Sequence, residues 1–161
     1  MMKNDSFNEL VFSIVNAVTE PNKKGCNPIL VYCSSGDENT YLLNVVENGI
    51  KEEAPGKKVL HITAKGFAKG LADALRQMTM PEFKNKFSGA DVLIMDDLQF
   101  LQGKDAVQEA FFYMFNDRYE AGKKMIFGCN CNPMEMENIS GQILNRITSG
   151  LVIELVREKR N

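Results

Sequence analysis

Residues 91–97 read Asp-Val-Leu-Ile-Met-Asp-Asp, and this stretch decides the fold. Val92 to Met95 is a continuous apolar run, too short for a free-standing helix and suited to a strand buried on both faces. The strand, read from Asp91 to Met95, delivers two acids, Asp96 and Asp97, at its carboxyl end. In a parallel sheet that end is the ligand face. Carboxylates placed there can hold Mg²⁺ and orient a water, the pattern called Walker B. A strand ending in Asp is common, so the neighbouring segments must carry the rest.

Four other segments have the same short apolar look: Ile29 to Tyr32, Val59 to Thr63, Lys124 to Gly128 and Leu151 to Leu155. Helical spacing separates them. Leu10, Val11, Ile14, Val15 and Val18 form one stripe, introduced by Ser6-Phe-Asn-Glu9, which fits a capping box. After the turn-rich break from Pro21 to Asn27 and the first strand, Leu42, Leu43, Val45, Val46 and Ile50 form a second stripe. Residues 65–87 read as two helices broken near Pro81. Val107, Ala110, Phe111, Met114 and Phe115 mark a long helix that Gly122 stops, and a short helix is expected near 141–147. Strands alternating with helices predict an α/β fold: a parallel five-stranded sheet flanked by helices, in three layers. Residues 1–161 suit a single domain.

Composition narrows the function classes. The formal net charge is −2, which is no electrostatic footprint of a chain that grips duplex DNA by itself. No apolar run has signal-peptide or membrane-span length, so the expectation is a soluble, cytoplasmic chain. Its cysteines, Cys26, Cys33, Cys129 and Cys131, are then thiols rather than a disulfide framework. His61 lies mid-strand with no nucleophile near it in sequence, and is read as structural. Met78, Met80, Met134 and Met136 flank prolines in loops and are read mostly as packing.

The continuation of the opening stretch is more specific. Residues 96–104 (DDLQFLQGK) and 111–124 (FFYMFNDRYEAGKK) resemble the DnaA family of bacterial replication initiators almost residue for residue. Residues 27–32 (NPILVY) and 145–155 (NRITSGLVIEL) do so too, and the resemblance runs from about residue 8 to 155. It implies an AAA+, P-loop-NTPase-like domain. It also implies a Gly-rich phosphate loop after the first strand, with a Lys for the β/γ-phosphates and a hydroxyl for Mg²⁺.

The matching segment here is Ser34-Ser35-Gly36-Asp37-Glu38-Asn39-Thr40. Gly36 and Thr40 keep the pattern. Asn39 stands at the Lys position, Glu38 at the preceding Gly, and Asp37 adds a carboxylate. Two anions stand where phosphate would lie. At ~4 Å a like-charge contact costs roughly 1 kcal/mol in water and about 4 kcal/mol at an effective dielectric near 20. Asp37 and Glu38 are expected to cap the following helix, read as starting near Thr40. Weak or no ATP binding is therefore expected, with no resident cofactor, and with ATP and Mg²⁺ the ligands should the loop still bind.

By the same resemblance, Asp96 and Asp97 match the Walker B acids and Asn130 the sensor position. Arg146 matches the arginine finger offered to a neighbouring subunit's nucleotide. Lys104 matches one single-stranded-DNA position, but Ala72, Ala106 and Val107 replace the others, so strand binding is expected to be weak. The chain ends at Asn161, after Arg157-Glu-Lys-Arg160, and is expected to lack the family's helical lid and helix-turn-helix domain. The resemblance also brings Cys33 close to Cys129 and Cys131. They read as small buried apolar residues, with a soft-metal or redox cluster as the alternative. The expectation that emerges is a pseudo-ATPase in replication initiation. Its expected partners are an initiator or a helicase-loading protein, with a homo-oligomer as a further expected assembly. A weak ATPase and a single-strand-binding module are the alternatives.

Overall fold

The structure is a computed structural model, and it describes residues 4–20, 26–34 and 37–156. Ser35 and Gly36 of the expected phosphate loop lie outside the described residues, as does the Arg157–Arg160 tail.

Five strands form one parallel sheet: β1 (Ile29–Tyr32), β2 (Val59–Thr63), β3 (Val92–Asp96), β4 (Lys124–Cys129) and β5 (Leu151–Glu154). Their spatial order is β2-β3-β4-β1-β5. The helices are α1 (Asn4–Thr19), α2 (Glu38–Glu53), α3 (Ala64–Gln77), α4 (Met80–Ser88), α5 (Asp105–Glu120) and α6 (Gly141–Ile147). After β1 the chain leaves for the far edge, returns through β3 and β4, and then adds β5 on the other side of β1. In sheets whose strand order reverses in this way, ligands bind outside the carboxyl ends of the strands at the point of reversal.

The strand sequences divide between two cores. Ile29, Val31, Val92, Ile94 and Ile126 face α1 and α2, packing with Ile14, Leu42, Leu43 and Val46. Leu30, Leu93, Met95, Met125 and Phe127 face the opposite way, against α3 to α6. Because both faces of the central strands β1, β3 and β4 are covered, these read as unbroken apolar runs rather than alternating ones. The second core is aromatic: Phe67, Phe83, Phe87, Phe111, Phe115 and Phe127 form a chain of ring contacts, with centroids 5.0–6.4 Å apart.

Three local expectations are corrected. Helix α1 already runs from Asn4, so Ser6 and Glu9 lie inside it, both exposed, and do not form the capping box. Its first turn is anchored by packing instead, with the Phe7 ring stacked on Tyr41 of α2 at 5.4 Å. Helix α2 begins at Glu38 rather than near Thr40. Asp37 occupies the N-cap position but makes no side-chain cap bond, because its φ of −102° and ψ of 20° lie outside the extended geometry that aims a cap at the first amides. The methionines also differ in role: Met136 is buried in the aromatic core, whereas Met78 ends α3 in left-handed geometry, 90% exposed.

The amino end of the sheet is tied by a residue that the sequence reading did not single out. Arg118 is 1% exposed, and its guanidinium donates to the carbonyls of Phe87 and Ala90 at 2.5 and 2.7 Å and of Lys124 at 2.8 Å. Burial pushes its pKa down to about 10, opposed by the charge of Asp91, so it stays a cation at neutral pH. Removing it would strand three carbonyls, each costing about 1–3 kcal/mol if buried without a donor. Arg118→Ala is therefore expected to lower the unfolding free energy by about 3–5 kcal/mol in a urea titration. Arg118→Lys should recover little of that loss, because an ammonium cannot span three separated acceptors.

Candidate functional site

The site is built where α2 meets the ends of β3 and β4. Asn39 is 1% exposed and turns inward, its Nδ2 donating to Asp96 Oδ1 at 3.1 Å. Thr40 Oγ1 donates to Asp96 Oδ2 at 2.5 Å. The amide of Asp97 closes back on Asp96 Oδ1 at 2.8 Å. The buried Asp96 side chain thus accepts three hydrogen bonds, two of them from Asn39 and Thr40, the last two residues of the expected phosphate loop. Asn39 Oδ1 is buried with no hydrogen-bond partner among the described residues.

Asp96 and α2 are separated by a strand, since β4 lies between β3 and β1. They meet above Gly128. A Cβ on that residue would sit 2.3 Å from Asp96 Oδ1 and 2.7 Å from Leu43 Cδ1. The absent side chain is therefore what lets the carboxylate cross β4. In sequence Gly128 reads only as the end of a strand. A glycine inside an apolar strand is itself the cue for close approach by another group.

Asp97 lies just past the strand with φ of 59°, and its Oδ1 accepts from Gln99 Nε2 at 3.3 Å. Gln99 Oε1 in turn accepts the Asn130 amide at 3.2 Å. Two more glutamines continue the connection. Gln102 Oε1 accepts from the Glu137 amide at 2.7 Å, and buried Gln108 bonds the Leu101 and Asn138 carbonyls and the Ser140 amide. Gln99 and Gln102 lie in the segment 96–104 that carries the resemblance, yet the role of all three appears only once loop 130–140 folds back over them. The Asn130 residue itself is exposed.

The remaining expected residues do not gather at Asp96. Ser34 is exposed at the end of β1, and Asp37 is exposed before α2. Glu38, in the first turn of α2, accepts from Cys33 Sγ at 3.3 Å. Exposed Arg146 leans on α5 instead, its Nε donating to Asn116 Oδ1 at 3.2 Å and its guanidinium 5.7 Å from the Phe112 ring centroid. Lys104, expected as a solvated lysine, is half-buried, with its ammonium 4.0 Å from the Phe100 ring centroid. His61 Nδ1 pairs with Glu47 Oε1 at 2.9 Å, the structural role expected of it. Cys33 and Cys129 are buried and Cys131 half-buried, and among the described residues no three metal-ligating side chains form a cluster. No helix among those residues is long and apolar enough to cross a membrane.

A five-stranded parallel sheet in this order, with a loop-to-helix turn after β1 facing an acid at the end of β3, defines an AAA+ P-loop-NTPase-like domain. A family model described as the bacterial DnaA ATPase domain matches residues 3–154, and the chain belongs to that family. The chromosomal replication initiator protein DnaA of Rickettsia bellii is 34% identical over 150 residues, which cover 92% of this chain and 32% of that protein. The chain thus spans about a third of the length of the curated relatives it matches. Domain III of the Thermotoga maritima replication initiation protein DnaA superposes with a TM-score of 0.86 at 27% identity, covering 97% of this chain and 64% of that one. A DnaA structure bound to AMPPCP and single-stranded DNA gives 0.83 at 31% identity, covering 94% and 47%. The DnaC helicase loader shares the fold, with a TM-score of 0.80 at 19% identity over 97% of this chain and 93% of that one.

Gly128→Ala tests the contact on which the site depends. It is expected to cost about 1–3 kcal/mol of stability, because neither the bonded Asp96 nor buried Leu43 has room to retreat. Gly141→Ala, where a Cβ would meet nothing within 4 Å, should be close to neutral in the same thermal melts.

Proposed function

We propose that this domain acts in DNA replication initiation as a pseudo-ATPase, working through protein contacts with an initiator or helicase-loading partner rather than by turning over ATP. The observation that carries the reading is the Asn39–Asp96 bond. The position expected to give phosphate a cation supplies an amide, and that amide already donates to the acid. The described residues of the loop add Asp37 and Glu38, so the donor set does not fit a triphosphate. The remaining loop residues offer backbone N–H groups and the hydroxyls of Ser34, Ser35 and Thr40, without the lysine that reaches the terminal phosphates.

Arg146 is the piece left to act on another molecule. Exposed, and steadied by Asn116 and the Phe112 ring, it has the standing of a finger offered to a competent neighbour's nucleotide. The alternative of a weak ATPase draws on Thr40 and Asp96, whose oxygens pair as Mg²⁺ ligands would. Single-strand binding has less support, since Lys104 lies over Phe100 and its neighbours Ala106 and Val107 offer no donors.

Two measurements test this. In calorimetric titration with ATP and Mg²⁺, the natural chain is expected to show no binding. The triple variant Asp37→Leu, Glu38→Gly, Asn39→Lys should gain some. Micromolar binding by the natural chain overturns the proposal. Mixed with a nucleotide-competent DnaA-type initiator, the domain is expected to change that partner's ATPase rate, and Arg146→Ala should remove at least about nine-tenths of the change. An unaltered effect in the variant would rule out the finger role.

A further inference from the structure

Two thiols of the sensor loop carry chemistry that the nucleotide reading leaves unused. Cys129 ends β4, and its backbone carbonyl accepts from the Cys33 amide at 3.1 Å, so it is fixed to the sheet. Its side chain is fully buried. Cys131, two residues on, is half-buried. The two sulfurs lie 3.6 Å apart, and Cys129 Sγ also donates to the Cys131 carbonyl at 3.1 Å. Cys33 is occupied elsewhere, its thiol directed at Glu38 Oε2.

A sulfur pair at this separation needs to close by about 1.5 Å to reach disulfide length. One member is fixed and covered, and the other is reachable from solvent. We propose that Cys129 and Cys131 are a redox modification site, closing to a reversible disulfide around Asn130 when the chain meets a peroxide. This inference is independent of whether the domain binds nucleotide.

The chemistry balances in two steps. The Cys131 sulfur, as thiolate, attacks one oxygen of hydrogen peroxide. The O–O bond breaks, leaving a Cys131 sulfenic acid and a hydroxide that takes up a proton as water. The Cys129 sulfur then attacks the Cys131 sulfur. The S–S bond forms, the S–O bond breaks, and the departing hydroxide leaves as water with the Cys129 thiol proton. Two thiols and one peroxide become one disulfide and two waters, with two electrons passing to the peroxide. Burial pushes the Cys129 thiol up to about 12, which keeps it protonated and makes Cys131 the residue that meets the oxidant first. Cys129 then acts as the resolving thiol, its low thiolate fraction offset by its position beside the target. The closed ring would hold Asn130, whose amide already bonds Gln99, in a single backbone conformation.

The test is peroxide treatment of the reduced full chain, followed by alkylation under denaturing conditions and peptide mass mapping. The expected result is loss of two of the four alkylatable thiols, with Cys129 and Cys131 linked inside one peptide and Cys26 and Cys33 still alkylated. A dithiol reductant should restore all four, and the closing rate should not depend on protein concentration. In Cys129→Ser, Cys131 should instead persist as a sulfenic acid that dimedone traps. Should that buried substitution fail to fold, Cys131→Ser carries the test: the link must vanish and Cys129 must stay alkylatable. The proposal is overturned if Cys131 remains a thiol in peroxide, passes to sulfinic acid with Cys129 untouched, or links between chains.

Discussion

Asp96 sets the terms for everything around the site. An acid taken out of water must find hydrogen-bond donors or destabilise the fold by several kcal/mol. Here the donors are the Asn39 amide, the Thr40 hydroxyl and the Asp97 backbone N–H, which bind the start of α2 to the end of β3. The bond must cross β4, and Gly128 leaves the room for it. Three elements far apart in sequence, α2, β3 and β4, therefore meet at one carboxylate.

From Asp97 the ordering passes outward through amides rather than charges. Gln99, Gln102 and Gln108 each bond the loop that runs from Asn130 to Ser140. Neutral amides both donate and accept, so a single glutamine can satisfy groups on two segments without bringing a charge into the interior. The loop so held leads into α6 and sets where Arg146 rests on α5. Among the described residues, the carboxyl end of the sheet is thus bonded internally through these side chains.

The two ends of the sheet differ in charge. At the amino end Arg118 is kept, desolvated and surrounded by carbonyls. At the carboxyl end the cation that the family pattern calls for is replaced by Asn39. The domain thus holds its strands together with a buried cation and carries an amide, not a cation, beside Asp96. That contrast is part of the support for the proposed role in protein contacts.

The sequence by itself determined the layers. Short apolar runs alternating with 3.6-residue stripes specify strands and helices, and strands covered on both faces read as continuous hydrophobic stretches, as Ile29–Tyr32 and Val92–Met95 do. It also carried the family, through the DDLQFLQGK and NRITSGLVIEL segments, and the departure at Asn39. Only the tertiary structure decided what Asn39 does, because its partner Asp96 lies 57 residues away and the meeting depends on a missing side chain at Gly128. Arg118 and the three glutamines were illegible for the same reason. Their roles are defined by backbone groups, and backbone groups carry no sequence signature until the chain has brought them within hydrogen-bond reach. The Ser6 cap failed in the opposite direction: a local rule gave way to the packing of Phe7 on Tyr41, a contact made only when α1 and α2 lie side by side.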